Sequence, residues 1–308
     1  MVSLLGGSVV VVGSCNVDMV TRAPRFPSAG EHLIASSFGT YLGGKGANQA
    51  FAATRAGATV SMIGRVGSDS FGTQMISALA EAGVAVGAIG VDRDAPTGNA
   101  SIWLDASGEN RILIFPGANG RVSPSDIREQ RDTIRAAAVL LVQLEVPLDA
   151  VFEACSVAKN AGVRVLLNAA PASPLPADLW SLIDVLVVNQ TEALALGGDI
   201  DAVRSSRVLI SKGVASVVLT LGGAGCMVVS GGKSDPIAIG PFPVLSVVDT
   251  TGAGDAFCGA LAASIASGAS VEDAARVGNA AGSLAVEVLG AIPSMPTLEQ
   301  IQRRLDTR

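Results

Sequence analysis

The stretch AAVLLVQLEVPLDAVFEACSVAKNAGVRVLLNA, residues 137–169, contains one whole unit of an alternating pattern. Ala137–Glu145 and Val163–Ala169 are short runs rich in Val and Leu, the length of strands rather than helices. Between them, Leu148–Ala161 is Ala-rich with helical spacing of its apolar residues. Strand, helix and strand in this order pair as parallel strands, and parallel strands buried on both faces read as unbroken apolar runs. The pattern extends in both directions. Ser8–Ser14, Ala58–Gly64, Val185–Gln190 and Ser216–Gly222 are further strands by the same reading. Ala47–Ala56, Phe71–Ala82, Ser125–Ala136, Ala202–Lys212, Ala256–Ser267 and Val271–Val288 are the helices. The fold class expected is α/β, a mostly parallel sheet covered by helices.

Two stretches break the alternation. Gly30–Gly44 and Thr97–Gly117 read as strands, the second folded into a hairpin at Ala106–Glu109. They are expected to form a small separate sheet, either a flap closing over a site or an edge for dimerisation. No repeat, low-complexity tract or long linker divides the chain, so residues 1–308 are expected to form a single domain, with lid inserts at about 19–43 and 97–116.

The 308 residues carry 21 Lys and Arg against 27 Asp and Glu, a formal net charge of −6. With no basic cluster interleaved with aromatics, that balance argues against a nucleic-acid binder. The four cysteines Cys15, Cys155, Cys226 and Cys258 lie far apart, and His32 is the one histidine. No zinc site and no Cys/His or Ser/His catalytic pair is expected, and a reducing cytoplasm is the natural compartment. Cys15 reads as a buried thiol and His32 as a polar residue of the flap. Mean hydropathy is high, +0.49, yet polar residues interrupt each apolar stretch before membrane-spanning length. The opening MVSLLGGSVVVVGSCN lacks the basic start of a signal peptide and reads as a buried first strand.

In open parallel sheets, ligands bind beyond the carboxyl ends of the strands. Asn16 and Asp18 follow the first strand, Glu145, Asn168 and Asn189 end three others, and Thr220 and Gly222 close another. So many polar residues on one side of a sheet read as a site. GGKGANQA (43–50) adds a glycine loop opening a helix, without the ending of a Walker A loop and without the GxGxxG of a nicotinamide site. A plain turn accounts for it. So does a backbone approached closely by a small hydroxylated ligand, with Asn48 supplying both donor and acceptor. VNQTEA (188–193) sets Asn189 and Glu192 at a helix start, which suits a capping box first and a water-mediated Mg²⁺ carboxylate second.

VVDTTGAGDAFCGALAASIASG (247–268) puts Asp255 after two glycines and before an apolar helix. Asp is a favoured N-cap. The same loop suits a phosphate, because amides of Gly252 to Asp255 at a helix N-terminus would point at an anion. The carboxylate then makes sense as the acceptor of a proton from an attacking hydroxyl. The motif alone leaves both readings open.

Taken together, GSCNVD (13–18), GGKGANQA, GAN (117–119), QLE (143–145), NAAPA (168–172), NQTEA (189–193), LTLGGAG (219–225), DTTGAGDAF (249–257) and GAIPSMP (290–296) resemble the PfkB carbohydrate kinase family along the whole chain. The resemblance implies a three-layer α/β/α sandwich with a small β-sheet lid, and ATP-dependent phosphorylation of the 5-hydroxyl of D-ribose. Asn16, Asp18, Gly44, Lys45, Gly46, Asn48 and Glu145 would bind the sugar, with Asp255 as general base and Gly252, Ala253 and Gly254 as anion hole. Asn189, Thr220, Gly222, Gly223, Gly225, Gly254 and Asn279 match positions of the ATP site. Glu192 matches the acidic residue that influences Mg²⁺. Asp249 and Ser294, with backbone oxygens of Thr251, Ala285, Val288 and Gly290, would enclose K⁺. A homodimer through the lid is implied, with Trp103 and Tyr41 against a second subunit.

Deoxyribose, fructose or another ketose, and a nucleoside are the alternative acceptors, and a sugar-binding protein without turnover is the alternative of another class. An aromatic content of 4% offers little shelf for a nucleoside base. NQTE stands where many members have NETE, which removes one negative charge, and NAAPA lacks a proline often found after its Asn.

Overall fold

The computed structural model of the protein describes residues 6–232 and 235–307, so the first five residues of the opening stretch lie outside it. Its strands, in chain order, are β1 Ser8–Val12, β2 Asn16–Arg22, β3 Ser37–Gly43, β4 Thr59–Gly67, β5 Ala85–Asp92, β6 Gly98–Leu104 and β7 Asn110–Phe115. They continue as β8 Val139–Val142, β9 Arg164–Asn168, β10 Val185–Asn189, β11 Ser216–Thr220, β12 Cys226–Ser230 and β13 Ile237–Ile239. The large sheet has the order β13-β12-β11-β10-β9-β8-β1-β4-β5. From β11 to β5 its neighbours are parallel, and the β12 and β13 edge is antiparallel. The unit at 137–169 stands at its centre, with β8 and β9 parallel and the Leu148–Asn160 helix crossing between them.

Successive strand residues face opposite sides of a sheet. Val9 and Val11 of β1 therefore enter the core shared with the Lys45–Arg55, Ser70–Glu81, Ala253–Ala266 and Val271–Ala285 helices. Val10 and Val12 enter the opposite core, with the Leu148–Asn160 and Ala202–Ser211 helices. This is the three-layer α/β/α arrangement. The Ala253–Ala266 helix is small-residued and buried over most of its length. A Cβ on Gly259 would fall 2.4 Å from Ala52 Cβ and 2.7 Å from Ala53 N, so this helix packs backbone to backbone on the Lys45–Arg55 helix.

Several boundaries differ from the sequence reading. The helix expected over Ser125–Ala136 is two, Pro124–Glu129 and Arg131–Arg135, because Gln130 leaves helical geometry at φ −101° and ψ 12°. The helix expected to reach Val288 ends at Ala285, and the Val286 carbonyl beyond it accepts the N–H groups of Val248 and Asp249. Strand structure in Gly30–Gly44 is confined to Ser37–Gly43, since the chain turns at Ser28–Glu31, where Glu31 bonds the Ser28 N–H and the Arg25 guanidinium. The strands β5, β12 and β13 lie outside the strands read from the sequence, and β2 begins three residues before the lid insert expected at about 19–43. In β5 Gly87 and Gly90 weaken the strand pattern, and in β2 polar Asn16 and Asp18 hide it.

The second sheet has the order β3-β2-β6-β7, with the β6–β7 hairpin turning at Asp105–Glu109. It is separate from the large sheet and carries the two irregular stretches singled out from the sequence.

Candidate active site

Because β1, β8, β9, β10 and β11 are adjacent and parallel, their carboxyl ends lie side by side. The polar residues that follow them are thereby gathered along one edge. Glu145 Oε2 accepts from Ser14 Oγ at 2.5 Å and from the Lys45 N–H at 3.0 Å, and Ser14 Oγ accepts from the Gly46 N–H at 3.3 Å. Asn16 Oδ1 accepts from Asn119 Nδ2 at 2.7 Å, and Asn119 is itself locked to the Cys15 backbone by two bonds. Asp18 lies against Gly43, where a Cβ would fall 2.6 Å from Asp18 Oδ2. Gly44, at φ 91°, turns the chain from β3 into the Lys45–Arg55 helix.

Asp255 is not the N-cap of its helix. That helix begins at Ala253, and its N-cap is Gly252, at φ 77° and so close to Ala291 that a Cβ would fall 2.8 Å from Ala291 Cα. Left-handed backbone and close approach together call for glycine. Asp255, 8% exposed, sits within the first turn and faces the neighbouring helix instead. Its Oδ2 accepts from Asn48 Nδ2 at 2.9 Å and its Oδ1 from Gln49 Nε2 at 2.8 Å. Asn48 Oδ1 is buried with no protein partner. A buried acceptor of this kind is costly unless a ligand satisfies it. A Cβ on Gly254 would meet no protein atom, so that position faces open cleft.

Two clefts meet at this turn. One, of about 290 Å³, is lined by Thr220, Gly222, Gly223, Gly225 and Asn279, and the other by Lys45, Asn168, Asn189, Glu192, Gly252 and Asp255. Thr220, Thr250 and Gly254 line both. Of the residues expected to hold the acceptor, Lys45 and Asp255 line the second cleft, together with Asn189 and Glu192 of the set expected around nucleotide and Mg²⁺, while Asn16, Asp18, Gly44, Gly46, Asn48 and Glu145 line neither. Asn189 and Glu192 form a reciprocal capping box, each side chain accepting the other's backbone N–H at 2.8 Å.

The charges are coupled. Burial pushes the Asp255 carboxyl above the usual aspartate range, against Lys45 and the Gln49 and Asn48 amides, which hold it down, while Glu145 adds to the rise. Burial would lower the Lys45 ammonium, but Asp255, Glu145 and Glu192 outweigh it and hold the group above its ordinary value. Asp18 is raised to about 6 by burial and by the charges of Glu145 and Asp255, with Lys45 opposing. Burial also raises Glu192, opposed by the Asn189 N–H and by Lys45. Cys15 is pushed up to about 12 and Cys258 well above the ordinary thiol value by burial, which leaves neither as a thiolate nucleophile. His32 is exposed between β2 and β3.

Beside this turn, Asp249 Oδ1 accepts the Thr251 N–H and Oδ2 the Gly290 N–H, each at 2.9 Å. Burial would raise its carboxyl, but those bonds, the Thr251 side chain and Arg22 hold it below the usual range. The Val288 N–H donates to the Ala285 carbonyl, and the Ser294 hydroxyl to the Ala291 carbonyl at 2.7 Å. Asp249 is thus tied to Gly290, while the Val288 and Ser294 bonds close local turns at 285–288 and 291–294. Among the described residues no three His, Cys, Asp or Glu side chains group as metal ligands. One carboxylate with carbonyl and hydroxyl oxygens suits a weakly charged hard cation, and a single carboxylate at Glu192 suits Mg²⁺ held mainly by water and phosphate oxygens.

Sequence reasoning passed over Gln49, Gln143, Ser14 and Asn119 as site residues. The signal was present in Gln143 and Gln49, both fully buried: a polar side chain in an apolar run must find partners.

A covered parallel sheet with a polar acceptor pocket and a glycine-lined cleft meeting at one helix N-terminus defines a protein of the carbohydrate kinase class. The sequence model of the pfkB family carbohydrate kinases matches residues 7–298, and the chain belongs to that family. It is 40% identical to a ribokinase of Haemophilus influenzae over 298 residues, 95% of this chain and 96% of that protein. With a ribokinase of Mus musculus it shares 36% over 297 residues, 94% and 92% of the two chains. The structure of Arabidopsis thaliana ribokinase complexed with ribose and ATP superposes with a TM-score of 0.92 at 35% identity, covering 98% of this chain and 99% of that one. The ribokinase of Thermotoga maritima gives 0.89 at 31% identity, with 98% and 100% covered. The fold is ribokinase-like, and the small second sheet holds the place of a lid.

Proposed function

We propose that this protein is an ATP-dependent ribokinase, transferring the γ-phosphoryl group to the 5-hydroxyl of D-ribose. The observation that carries the reading is the Asp255 carboxylate, fixed by two amide donors where the acceptor pocket meets the helix N-terminus. Similarity to ribokinases, one of them solved with ribose and ATP, supports the choice of substrates.

Asn16, Asp18, Asn48 and Glu145, with backbone and side chain from Gly44, Lys45 and Gly46, bind the hydroxyls of the sugar. The free Asn48 Oδ1 accepts from one of them. Asp255 takes the proton of the attacking hydroxyl as its oxygen bonds to the γ-phosphorus. The bond from that phosphorus to the β,γ-bridging oxygen breaks, and ADP leaves. In a loose transition state the hydroxyl becomes acidic late, so a positioned carboxylate suffices. Amides of Gly252, Ala253 and Gly254 and the helix dipole stabilise charge on the transferred group. Asn189, Thr220, Gly222, Gly223, Gly225 and Asn279 line the nucleotide. Glu192 would hold Mg²⁺ through water, and the cation would supply neutralisation of phosphate charge. Asp249 and Ser294, with the backbone of Thr251, Ala285, Val288 and Gly290, would hold K⁺ and so set the shape of the loop. The four free, buried cysteines are in keeping with a cytoplasmic enzyme. The lid sheet is the proposed homodimer contact.

The test is ATP-dependent phosphorylation of ribose, deoxyribose, fructose and adenosine, with and without K⁺. Ribose is expected to be turned over fastest and with K⁺ activation. Asp255→Asn is expected to lower kcat by about 10² to 10⁴. Turnover of another sugar in preference to ribose, or wild-type kcat in the variant, would overturn the reading.

A further inference from the structure

A chain of buried amides stands behind Asp255. Gln143, directly after β8, donates from Nε2 to Gln49 Oε1 at 2.7 Å. That bond fixes which end of the Gln49 amide faces which way. Gln49 Nε2 is then turned to donate to Asp255 Oδ1 at 2.8 Å and to Asn168 Oδ1 at 3.0 Å. A flipped Gln49 would set its Nε2 against the Gln143 Nε2 and its oxygen against the carboxylate. With Asn48 Nδ2 on Oδ2, each oxygen of Asp255 receives one N–H, and neither partner atom can accept a proton from it. Both glutamines are fully buried, and Gln143 Oε1 has no partner. Apolar side chains would pack this layer without that orphaned acceptor.

We infer that Gln49, oriented by Gln143, is a positioning residue that holds the Asp255 carboxylate in plane and in its ionised form. This rests on Asp255 acting as the base. The charged and titratable groups facing Asp255 are Lys45 from the same helix as Gln49, Glu145 beyond β8, Asp18 on β2, and the Cys258 thiol on its own helix, with Glu192 across from Lys45. None of these is altered by changing Gln49 or Gln143. N–H donors favour the charged form of a carboxylate. Removing one therefore moves the acid limb of the rate profile to higher pH.

The experiment is the pH dependence of kcat between pH 5 and 9 for the full chain with ribose and Mg-ATP, in Gln49→Leu, Gln143→Leu and Asp255→Asn. Gln49→Leu is expected to shift the acid limb up by about one pH unit, the effect of losing one charge-assisted bond. The KM for ATP is expected to hold. Gln143→Leu, which leaves every bond to Asp255 in place, is expected to shift the limb the same way by less. The double variant Gln49→Leu/Gln143→Leu removes the orphaned amide left by the single change and reports the shift where the single variant folds poorly. An unmoved acid limb in these variants, beside an inactive Asp255→Asn, would overturn the positioning role. Wild-type kcat in Asp255→Asn would instead overturn the base itself.

Discussion

Asp18 shows what the pocket does to a single residue. Its carboxyl ionises at about 6, raised from 3.8, because it is buried beside Glu145 and Asp255 with only Lys45 in opposition. A carboxyl raised on folding stabilises the fold below its unfolded value, and that contribution is lost as pH rises through the folded value. For Asp18 the window runs from pH 3.8 to about 6. At neutral pH the ligand-free protein therefore bears a penalty of about 3 kcal/mol at this site. A hydroxyl donating to the carboxylate offsets it. Asp18→Asn should raise the Tm at pH 7.5 and leave it nearly unchanged near pH 4, while weakening ribose binding in calorimetry. In the wild type, ribose affinity should fall by up to about tenfold per pH unit below 6, since binding must first remove the proton. A ribose affinity indifferent to pH across that window would exclude Asp18 from the pocket.

At the scale of elements, the site depends on two helices in close contact. Asp255 and Gly259 lie one turn apart on the Ala253–Ala266 helix, and Asn48, Gln49, Ala52 and Ala53 lie on its partner. The contact at Gly259 sets the separation that the bonds from Asn48 and Gln49 to Asp255 require. Gly259→Ala would push a methyl against Ala52 Cβ and against backbone of Ala53 and Gln49. A cost of about 1–3 kcal/mol in stability is expected, with a fall in kcat at temperatures well below the Tm. Adding Ala52→Gly should recover part of both, because it removes the nearest of the clashing atoms. Denaturant melts and kcat of the two variants check this, and an unchanged kcat in Gly259→Ala would show that the helix spacing is not what places Asp255.

The same helix marks how far the sequence could be read. Apolar runs such as Val139–Val142 show their strands because both faces are buried, and nothing local competes with that signal. The helix expected from Ala256 begins three residues earlier, at Ala253, since Gly254 has poor helix propensity and its turn is held by tertiary contacts. Asp255 was legible as either cap or base. Only the neighbouring helix, remote in sequence, draws its carboxylate away from the cap position. Gln49 and Gln143 were invisible as a pair for the same reason, since 94 residues separate them.

The whole molecule has one feature the monomer leaves exposed. Antiparallel sheets commonly bury one face and solvate the other. In β7 the residues alternate between faces, yet Ile112 and Ile114 on one side and Leu113 and Phe115 on the other are all at least half exposed. Phe38 and Tyr41 on β3 and Trp103 on β6 extend the apolar surface. Exposed apolar residues in this number on one small sheet mark an interaction surface. Two apolar faces call for two coverings: on the function proposed above, one face would close over the sugar and the other would meet the lid of a second copy. β7 and β3 are also the edges of the sheet, where pairing with another chain comes most easily. Light scattering on the wild type should therefore give twice the chain mass of 30.8 kDa. Leu113→Asp and Ile114→Asp address the two faces separately. One should lower the mass to that of a single chain, and the other should raise the KM for ribose while the dimer persists. A wild-type mass of one chain would remove the dimer and leave both apolar faces to the closing of the lid.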